Sequence, residues 1–189
     1  MKRIFIAVDI SDRARSAAAA YIETLRGEFR QVRVGWERAE KLHLTMKFLG
    51  ACETRQLQEL ENIAARIAAE IPRFTIQIAD TGVFPNARSP RVLWIDVKDA
   101  AGNLTKIHEL LESECEKIGF EKERRRFVPH ITIGRVKEPS KARELAEKHT
   151  RNKFEPVESS VPEIVIYESN LLPAGSVYSV VSKHELIIN

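Results

Sequence analysis

The stretch His43-Leu44-Thr45-Met46-Lys47-Phe48-Leu49-Gly50 is followed later in the chain by a shorter copy, Pro129-His130-Ile131-Thr132-Ile133-Gly134-Arg135. Each copy contains His-x-Thr and then an apolar residue, inside a run rich in strand-forming residues. Side chains alternate between the two faces of a strand, so the histidine and threonine of each copy point the same way. We therefore expect two strands that each bury one apolar face and present an imidazole beside a hydroxyl on the other.

The elements predicted around the two motif strands follow a similar order in each half of the chain. Up to about residue 98 the pattern indicates strand, helix, motif strand, helix and further strands, and from about residue 103 helix, motif strand, helix and strands. The predicted strands are 4–10, 31–36, 41–49, 74–79, 91–97, 127–136, 161–168 and 177–187. Three predicted helices have apolar stripes that end at residues 29, 71 and 118, and a short fourth helix begins at Pro139 and Ser140 and ends at about His149. Ser11, Thr54 and Asn103 are the expected helix N-caps.

This repetition predicts the fold class. We expect an α+β fold in which two lobes are related by a pseudo-two-fold axis, with two antiparallel sheets flanking a central cleft and helices on the outside. Residues 1–189 would form one two-lobed domain. The motif strands would meet at the cleft, so that the two His-Thr pairs face each other.

The bulk composition excludes several classes of protein. The net charge of +3, from 30 basic and 27 acidic residues, is too small to indicate nucleic-acid binding by itself. Cys52 and Cys115 fit no metal-ligand spacing and suit a reducing compartment. The apolar run at residues 4–8 ends at Asp9 and is too short for a signal peptide or a membrane span. We expect a cytoplasmic protein that does not bind membranes.

Paired histidines indicate acid–base chemistry. With an ordinary pKa of about 6.5, one imidazole can be a neutral base while the other is a charged acid at the same pH. Such a pair suits in-line displacement at phosphorus, with threonine hydroxyls donating to the phosphate oxygens. Neither motif carries a carboxylate, so a metal site fits less well, and we expect neither a metal nor another cofactor. His108, His149 and His184 are expected to be structural, His149 as a charge at a helix C-terminus.

At this point the two motifs resemble the paired signatures of the two-histidine phosphoesterases, and within them the RNA 2′,3′-cyclic phosphodiesterases, also called 2′-5′ RNA ligases. The likeness runs nearly end to end. The further matching segments are Arg3-Ile4-Phe5-Ile6-Ala7-Val8, Trp36, Gly82-Val83-Phe84-Pro85, Pro90-Arg91-Val92-Leu93-Trp94, Tyr167-Glu168-Ser169-Asn170-Leu171, Gly175 and Tyr178.

The resemblance implies a bilobal enzyme that hydrolyses a terminal 2′,3′-cyclic phosphate on RNA to a 2′-phosphate. It implies His43 as the general acid and His130 as the general base, although the pseudo-symmetry makes the two positions chemically similar. Thr45, Thr132 and Arg135 would bind the phosphate. The resemblance also implies reversible joining of RNA ends through a 2′-5′ bond.

The positions of two basic residues in the motifs depend on the regularity of the strands. Strict alternation puts Arg135 on the strand face opposite His130, and a twist or bulge near Gly134 would be needed to re-aim it. Lys47 shares a face with His43 in the same scheme, so we expect it at the edge of the cleft or in solvent.

RNA binding is expected to depend on backbone contacts and stacking. Arg124, Arg125 and Arg126 would supply local charge, and Trp36 and Phe84 are candidate stacking surfaces. Two alternatives stay open: the same site acting on small cyclic nucleotides, ADP-ribose cyclic phosphates or 2′-5′ oligonucleotides, and a non-catalytic module that binds RNA ends. No obligate protein partner is evident.

Overall fold

The computed structural model describes residues 1–172 and 175–188. Within these residues, α-helices pack against antiparallel strands. The helices are α1 (Asp12–Glu28), α2 (Thr54–Ala68), α3 (Asn103–Lys117) and α4 (Arg143–Arg151), with 3-10 turns at Ala39–Lys41 and Pro139–Lys141. The strands are β1 (Lys2–Asp9), β2 (Val34–Trp36), β3 (His43–Cys52), β4 (Phe74–Phe84), β5 (Val92–Lys98), β6 (His130–Val136), β7 (Val157–Val161), β8 (Glu163–Leu172) and β9 (Gly175–Glu185).

The strands divide into two halves that meet at one point. Their order is β7-β4-β5-β6-β3-β1-β8-β9, and β2 lies beside β6. The motif strands β3 and β6 pair only through Leu44 and Ile131. Helices α1 and α4 contact the half that contains β4 and β7, whereas α2 and α3 contact the half that contains β3, β8 and β9. The predicted α+β fold is confirmed, and in place of two separate sheets there is one antiparallel sheet whose two halves are joined by this residue pair.

The helix starts follow local chemistry. Ser11 caps α1 as predicted, because its side-chain oxygen accepts the backbone N–H of Ala14 at 3.3 Å. The prediction for α2 is wrong by one residue: Glu53 is the cap, and it forms a reciprocal capping box with Gln56, so Thr54 is the first helical residue. No helix in the part of the chain described here is long and apolar enough to cross a membrane.

Helix α3 and strand β7 also differ from the sequence pattern. Gly102, not Asn103, precedes α3, and the carboxylate of Asp99 binds a first-turn amide at Leu104. Strand β7 was not predicted, because the middle one of its three inward positions is the polar Ser159. This hydroxyl is buried and accepts the backbone N–H of the α1 cap at 2.8 Å, which satisfies it without an apolar pattern.

His149 is a buried structural residue. Its Nδ1 lies 2.9 Å from the Tyr21 hydroxyl, and its Nε2 lies 3.1 Å from the carbonyl oxygens of both Gly82 and Trp94. The carbonyls can only accept, so Nε2 carries a hydrogen. Burial lowers the pKa of His149 to about 4. The prediction of a charged helix-terminal histidine is therefore wrong, because the C-terminus of α4 is packed against β4.

We expect this histidine to make the free energy of unfolding depend on pH. Between the ordinary pKa of about 6.5 and the folded value of about 4, the unfolded chain binds the additional proton, so stability falls as the pH is lowered through this window. The loss should reach roughly 3 kcal/mol. Urea denaturation of the wild type and His149→Gln between pH 7 and 4 measures it. The variant should be less stable at pH 7 but less sensitive to pH, and equal pH dependence in both would contradict this origin.

Candidate active site

The two motif strands bring the predicted site residues together. Extending the register of the Leu44–Ile131 pair by one residue each way puts each motif histidine opposite the threonine of the other motif. These side chains line one cleft of about 110 Å³, and all five residues predicted for the site are in it. The lining is Phe5, Glu37, Lys41, His43, Thr45, Phe48, His130, Thr132, Arg135, Ser169 and Tyr178.

The backbone sets the tautomer of both histidines. Nδ1 of His43 lies 2.6 Å from the carbonyl oxygen of Lys41, and Nδ1 of His130 lies 2.6 Å from that of Val128. A carbonyl oxygen only accepts, so Nδ1 is the protonated nitrogen in each ring and Nε2 is left for proton exchange. Nε2 of His43 is 3.0 Å from the Thr45 hydroxyl. Both rings are thus held in the same way, because each histidine binds the carbonyl of the residue two positions before it in the chain.

Arg15 of α1 fixes the segment that holds His43. One nitrogen of its guanidinium donates to the carbonyls of Ala39 at 2.8 Å and Leu42 at 2.9 Å, and the other donates to that of Ile10 at 3.4 Å. The carbonyls of Ala39 and Leu42 lie at the start and just after the end of the 3-10 turn that supplies the His43 acceptor. Arg15 therefore stabilises the imidazole orientation through the backbone, without lining the cleft itself.

Aromatic rings pack against the first imidazole. The Phe5 ring stacks on His43 with centroids 4.9 Å apart, and Tyr178 meets the same imidazole edge-on at 5.5 Å. Behind Phe5, Tyr167 stacks at 5.2 Å and its hydroxyl donates to the Asp9 carboxylate at 2.8 Å. Strands β1, β8 and β9 thus form a continuous aromatic wall on this side of the cleft.

The second imidazole has an equivalent wall from β4 and β5. Phe84 packs edge-on against His130 at 5.1 Å, and Trp94 lies 6.0 Å from it. Gly82 allows this arrangement, since any side chain there would collide with the Trp94 ring. Phe84, a candidate stacking surface, therefore supports the imidazole and does not line the cleft.

The surroundings disfavour the charged form of both histidines. Burial lowers the pKa of His43 and also that of His130, and the nearby Arg135 cation lowers both further. The bonds to the backbone carbonyls act in the opposite direction, as do Asp9 near the first ring and Asp96 near the second. The desolvation effect is the largest, so both rings lose their protons at a lower pH than a free histidine.

A bulge follows each His-x-Thr. In β3, Thr45 is opposite Ala7 and Lys47 is opposite Ile6, so one residue of β3 has no partner on β1. His108 from α3 binds the carbonyl oxygen of that unpaired residue, Met46, through Nδ1 at 2.8 Å. The bulge reverses the alternation: the next aromatic ring, Phe48, is 54% exposed and faces the cleft.

The bulge also overturns the prediction for Lys47. This side chain is neither at the cleft edge nor in solvent; the residue is only 4% exposed. Its Nζ lies 2.7 Å from a carboxylate oxygen of Glu112 and donates to the Glu121 carbonyl at 3.1 Å. The other carboxylate oxygen accepts the backbone N–H of Glu123 at 2.9 Å. The buried pair therefore ties β3 to α3 and to the loop that leads into β6.

The corresponding bulge in β6 places Arg135 in the cleft. Trp94 is opposite Thr132 and Leu93 is opposite Gly134, which leaves one residue of β6 unpaired, at the place where the sequence required a bulge. The Arg135 side chain is 59% exposed, and its Nε lies 3.9 Å from a Glu37 carboxylate oxygen.

Close packing explains the glycine in the second bulge. A Cβ at Gly134 would lie 2.9 Å from Cγ1 of Val34 and 3.0 Å from Cε3 of Trp36, too close for any other residue without a shift. Strand β2 can therefore cover β6 beside the cleft only because this position has no side chain.

Several lining residues were not predicted from the sequence. Phe48 lies in the first motif, but strict alternation assigns it to the buried face, and only the bulge reverses this. Phe5, Lys41, Ser169 and Tyr178 reach the cleft from other elements. Phe5, Ser169 and Tyr178 lie in segments that match the family, but the strand pattern around them does not assign them to the cleft. Conversely, the basic run at residues 124–126 does not line the cleft, and Trp36 lines a neighbouring groove. Among the described residues, no three His, Cys, Asp or Glu side chains cluster in a way that could hold a metal ion.

Comparison with known proteins identifies the family. A family model described as the 2′-5′ RNA ligase superfamily matches residues 14–171, and the chain therefore belongs to this superfamily. A Thermotoga maritima protein named RNA 2′,3′-cyclic phosphodiesterase is 36% identical over 179 residues, which cover 94% of this chain and 92% of the relative. The predicted family membership is confirmed.

Two solved structures have the same fold over almost their whole length. The crystal structure of TT0787 of Thermus thermophilus has a TM-score of 0.81 at 27% identity and covers 97% of both chains. The crystal structure of E. coli LigT complexed with 3′-AMP has a TM-score of 0.76 at 26% identity and covers 98% of both chains.

The electrostatics of the cleft predict histidine titrations that can be measured without a substrate. In NMR titrations, His43 and His130 should both lose their protons below the ordinary pKa of about 6.5, because burial is the dominant effect. Arg135→Gln should raise both values, since it removes a cation that lowers them. The exposed Arg55→Gln on α2 is a charge-matched control and should change neither. Midpoints at or above the ordinary value, or no change in the Arg135 variant, would contradict this account.

Proposed function

We propose that residues 1–189 act as one two-lobed enzyme that hydrolyses the terminal 2′,3′-cyclic phosphate of RNA to a 2′-phosphate. The observation that carries this proposal is the pair of imidazoles, each with Nδ1 bound to a backbone carbonyl, that share one small cleft with two hydroxyls and a guanidinium. Family membership and the names of the relatives assign the chain to the cyclic phosphodiesterases. Residence in the cytoplasm stays a prediction from the sequence.

The proposed reaction uses each histidine once. Water attacks phosphorus while the bond from phosphorus to the 3′ oxygen breaks. Nε2 of His130 accepts the proton from water, and the protonated His43 donates the proton on Nε2 to the leaving oxygen. The product carries a 2′-phosphate and a 3′-hydroxyl, and exchange with solvent restores the two rings. Each transfer contributes roughly 10²- to 10⁴-fold to the rate.

The phosphate would be bound by the remaining polar groups of the cleft. The hydroxyls of Thr45 and Thr132 can each donate to a non-bridging oxygen, and the Arg135 guanidinium can neutralise the charge that develops there. These groups come from both strands, so the phosphorus atom would lie between the two imidazoles. The scheme needs no metal ion.

Phe48 would support the nucleoside. Its ring is exposed at the cleft, and the guanidinium of Arg3 lies 5.0 Å from the ring centroid on one face. Phe48 follows the bulge of β3 in the same way that Arg135 follows the bulge of β6, so the pseudo-symmetry puts a ring on one side of the site and a cation on the other. A nucleotide has the complementary pair of features, a base and a phosphate.

The same groups can run a joining reaction. If a 5′-hydroxyl of RNA attacks phosphorus in the place of water, with the same two proton transfers, the product is a 2′-5′ phosphodiester. We propose this joining as a second activity of the site. It is the reverse of the reaction in which a 2′-5′ diester is cleaved to a cyclic phosphate and a 5′-hydroxyl. The alternatives named from the sequence, small cyclic substrates and a non-catalytic RNA-end module, are separated by the experiments below.

We expect the two cleft histidines to be essential. Wild-type protein should open the cyclic phosphate of a short RNA in the presence of EDTA and give a 2′-phosphate, detected by end-group analysis. His43→Ala and His130→Ala should each lower kcat by at least roughly 10²-fold, because each loses one proton transfer. His184→Ala, in β9, is the matched control and should keep full activity. Undiminished turnover in both cleft variants would disprove the mechanism, and a 3′-phosphate product would reverse the bond assignment.

The role of Phe48 is tested with a mononucleotide. For adenosine 2′,3′-cyclic phosphate, Phe48→Ala should raise KM by roughly 5- to 150-fold, the equivalent of one base–aromatic stack, with little change in kcat. Phe48→Trp keeps an aromatic face and should restore KM. If the Ala and Trp variants behave alike, the ring does not stack on the base.

A further inference from the structure

A large groove lies beside the cleft. It has a volume of about 860 Å³ and is formed by the last turns of α1, the following loop, β2 and the segment up to Ala39, together with Lys137 after β6. Its basic residues are Arg26, Arg30, Arg33, Arg38 and Lys137. None of these residues takes part in the chemistry described above.

Positive charge is concentrated in this groove. Its lining has five basic residues and only two acidic ones, Glu23 and Glu37, a net charge of +3 that equals the formal net charge of the whole chain. Arg26, Arg33 and Arg38 have surface ion pairs at 3.4 to 3.9 Å, which are weak in water. Within the described residues, Arg30 and Lys137 have no carboxylate partner within 4.0 Å. The groove is therefore suited to an anion with several charges.

The groove adjoins the cleft. Glu37 lines both, and Gly35 in the wall of the groove is paired with Arg135, the proposed phosphate ligand. A 2′,3′-cyclic phosphate is at the 3′ end of an RNA chain, so the rest of the chain must leave the cleft in the 5′ direction. The groove begins one strand away from the reacting phosphate.

The groove also contains an aromatic surface. Trp36 is half-buried and lines it, and its ring packs closely over Gly134 of β6. The ring is fixed by this packing and needs no further ordering to receive a base. Basic side chains that follow a backbone, combined with an aromatic ring for stacking, are the usual elements of single-stranded RNA binding.

We propose that this groove binds the single-stranded RNA segment on the 5′ side of the cyclic phosphate. The inference rests on the proposed function and goes further, since it makes an RNA chain of several nucleotides the preferred substrate over a cyclic mononucleotide. The basic residues bind backbone phosphates without reading the sequence, and Trp36 stacks on one base. A mononucleotide bound in the cleft does not reach the groove.

The test compares two substrates and two charge-matched variants. The substrates are adenosine 2′,3′-cyclic phosphate and a single-stranded RNA of eight nucleotides with the same 3′ end. The groove variant is Arg30→Gln/Arg33→Gln/Lys137→Gln, all at exposed positions. The control is Arg124→Gln/Arg125→Gln/Arg126→Gln, which removes the same charge from the exposed loop before β6. Steady-state KM and kcat are measured for both substrates across a range of salt concentrations.

The wild type should have at least a 10-fold lower KM for the oligonucleotide than for the mononucleotide. The groove variant should lose this difference and keep the mononucleotide KM and kcat. Its slope of log affinity against log salt for the oligonucleotide should be smaller by about 2, because three contacts to a single strand are lost. The control variant should behave as the wild type.

Two outcomes would overturn the proposal: equal KM values for both substrates in the wild type, or equal effects of the groove and control variants. Either result leaves the proposed function intact as long as the mononucleotide is hydrolysed. If the wild type hydrolyses neither substrate, the proposed function itself is refuted.

Discussion

One buried residue pair, Leu44 with Ile131, joins the two halves of the sheet, and the site depends on it. Both side chains face the core, so the residues on either side of each must face away from it, into the cleft. A register shift of one residue would turn these side chains to the opposite faces and bury the histidines. Among the described residues, β3 and β6 pair nowhere else, and the side chains on their face away from the core line the cleft.

The two bulges make the two sides of the pseudo-symmetric site chemically different. Each follows a His-x-Thr and returns the next side chain to the cleft, but the two copies differ in what they place there: Phe48 in one and Arg135 in the other. They differ behind the cleft too, where Lys47 forms a buried ion pair and Gly134 accepts the close packing of β2. The histidines and threonines are equivalent, whereas the surroundings fit a ligand with unlike ends.

The sequence by itself determined the central part of the site. The period of two in each motif predicts that histidine and threonine share a face, and the duplicated order of elements predicts two lobes with these strands at their centre. Both depend on local geometry and on the burial of Leu44, Ile131 and their apolar neighbours, which the sequence displays directly. The Ser11 cap was predictable for the same reason, since it depends on contacts within one turn.

Only the tertiary structure decided the features that depend on pairing between distant segments. The bulges are set by the partner strands β1 and β5, so the positions of Lys47 and Phe48 could not follow from alternation within one strand. His149 is neutral because tertiary packing buries it, and this outweighs the two carbonyls of β4 and β5 that bind its ring, although its sequence neighbours suggest an exposed helix end. The groove likewise assembles cations from α1, β2 and the end of β6. Local sequence determines the alternation of side chains within an unbroken strand, whereas the bulges that interrupt it and the groups that a side chain contacts depend on residues far away in the chain.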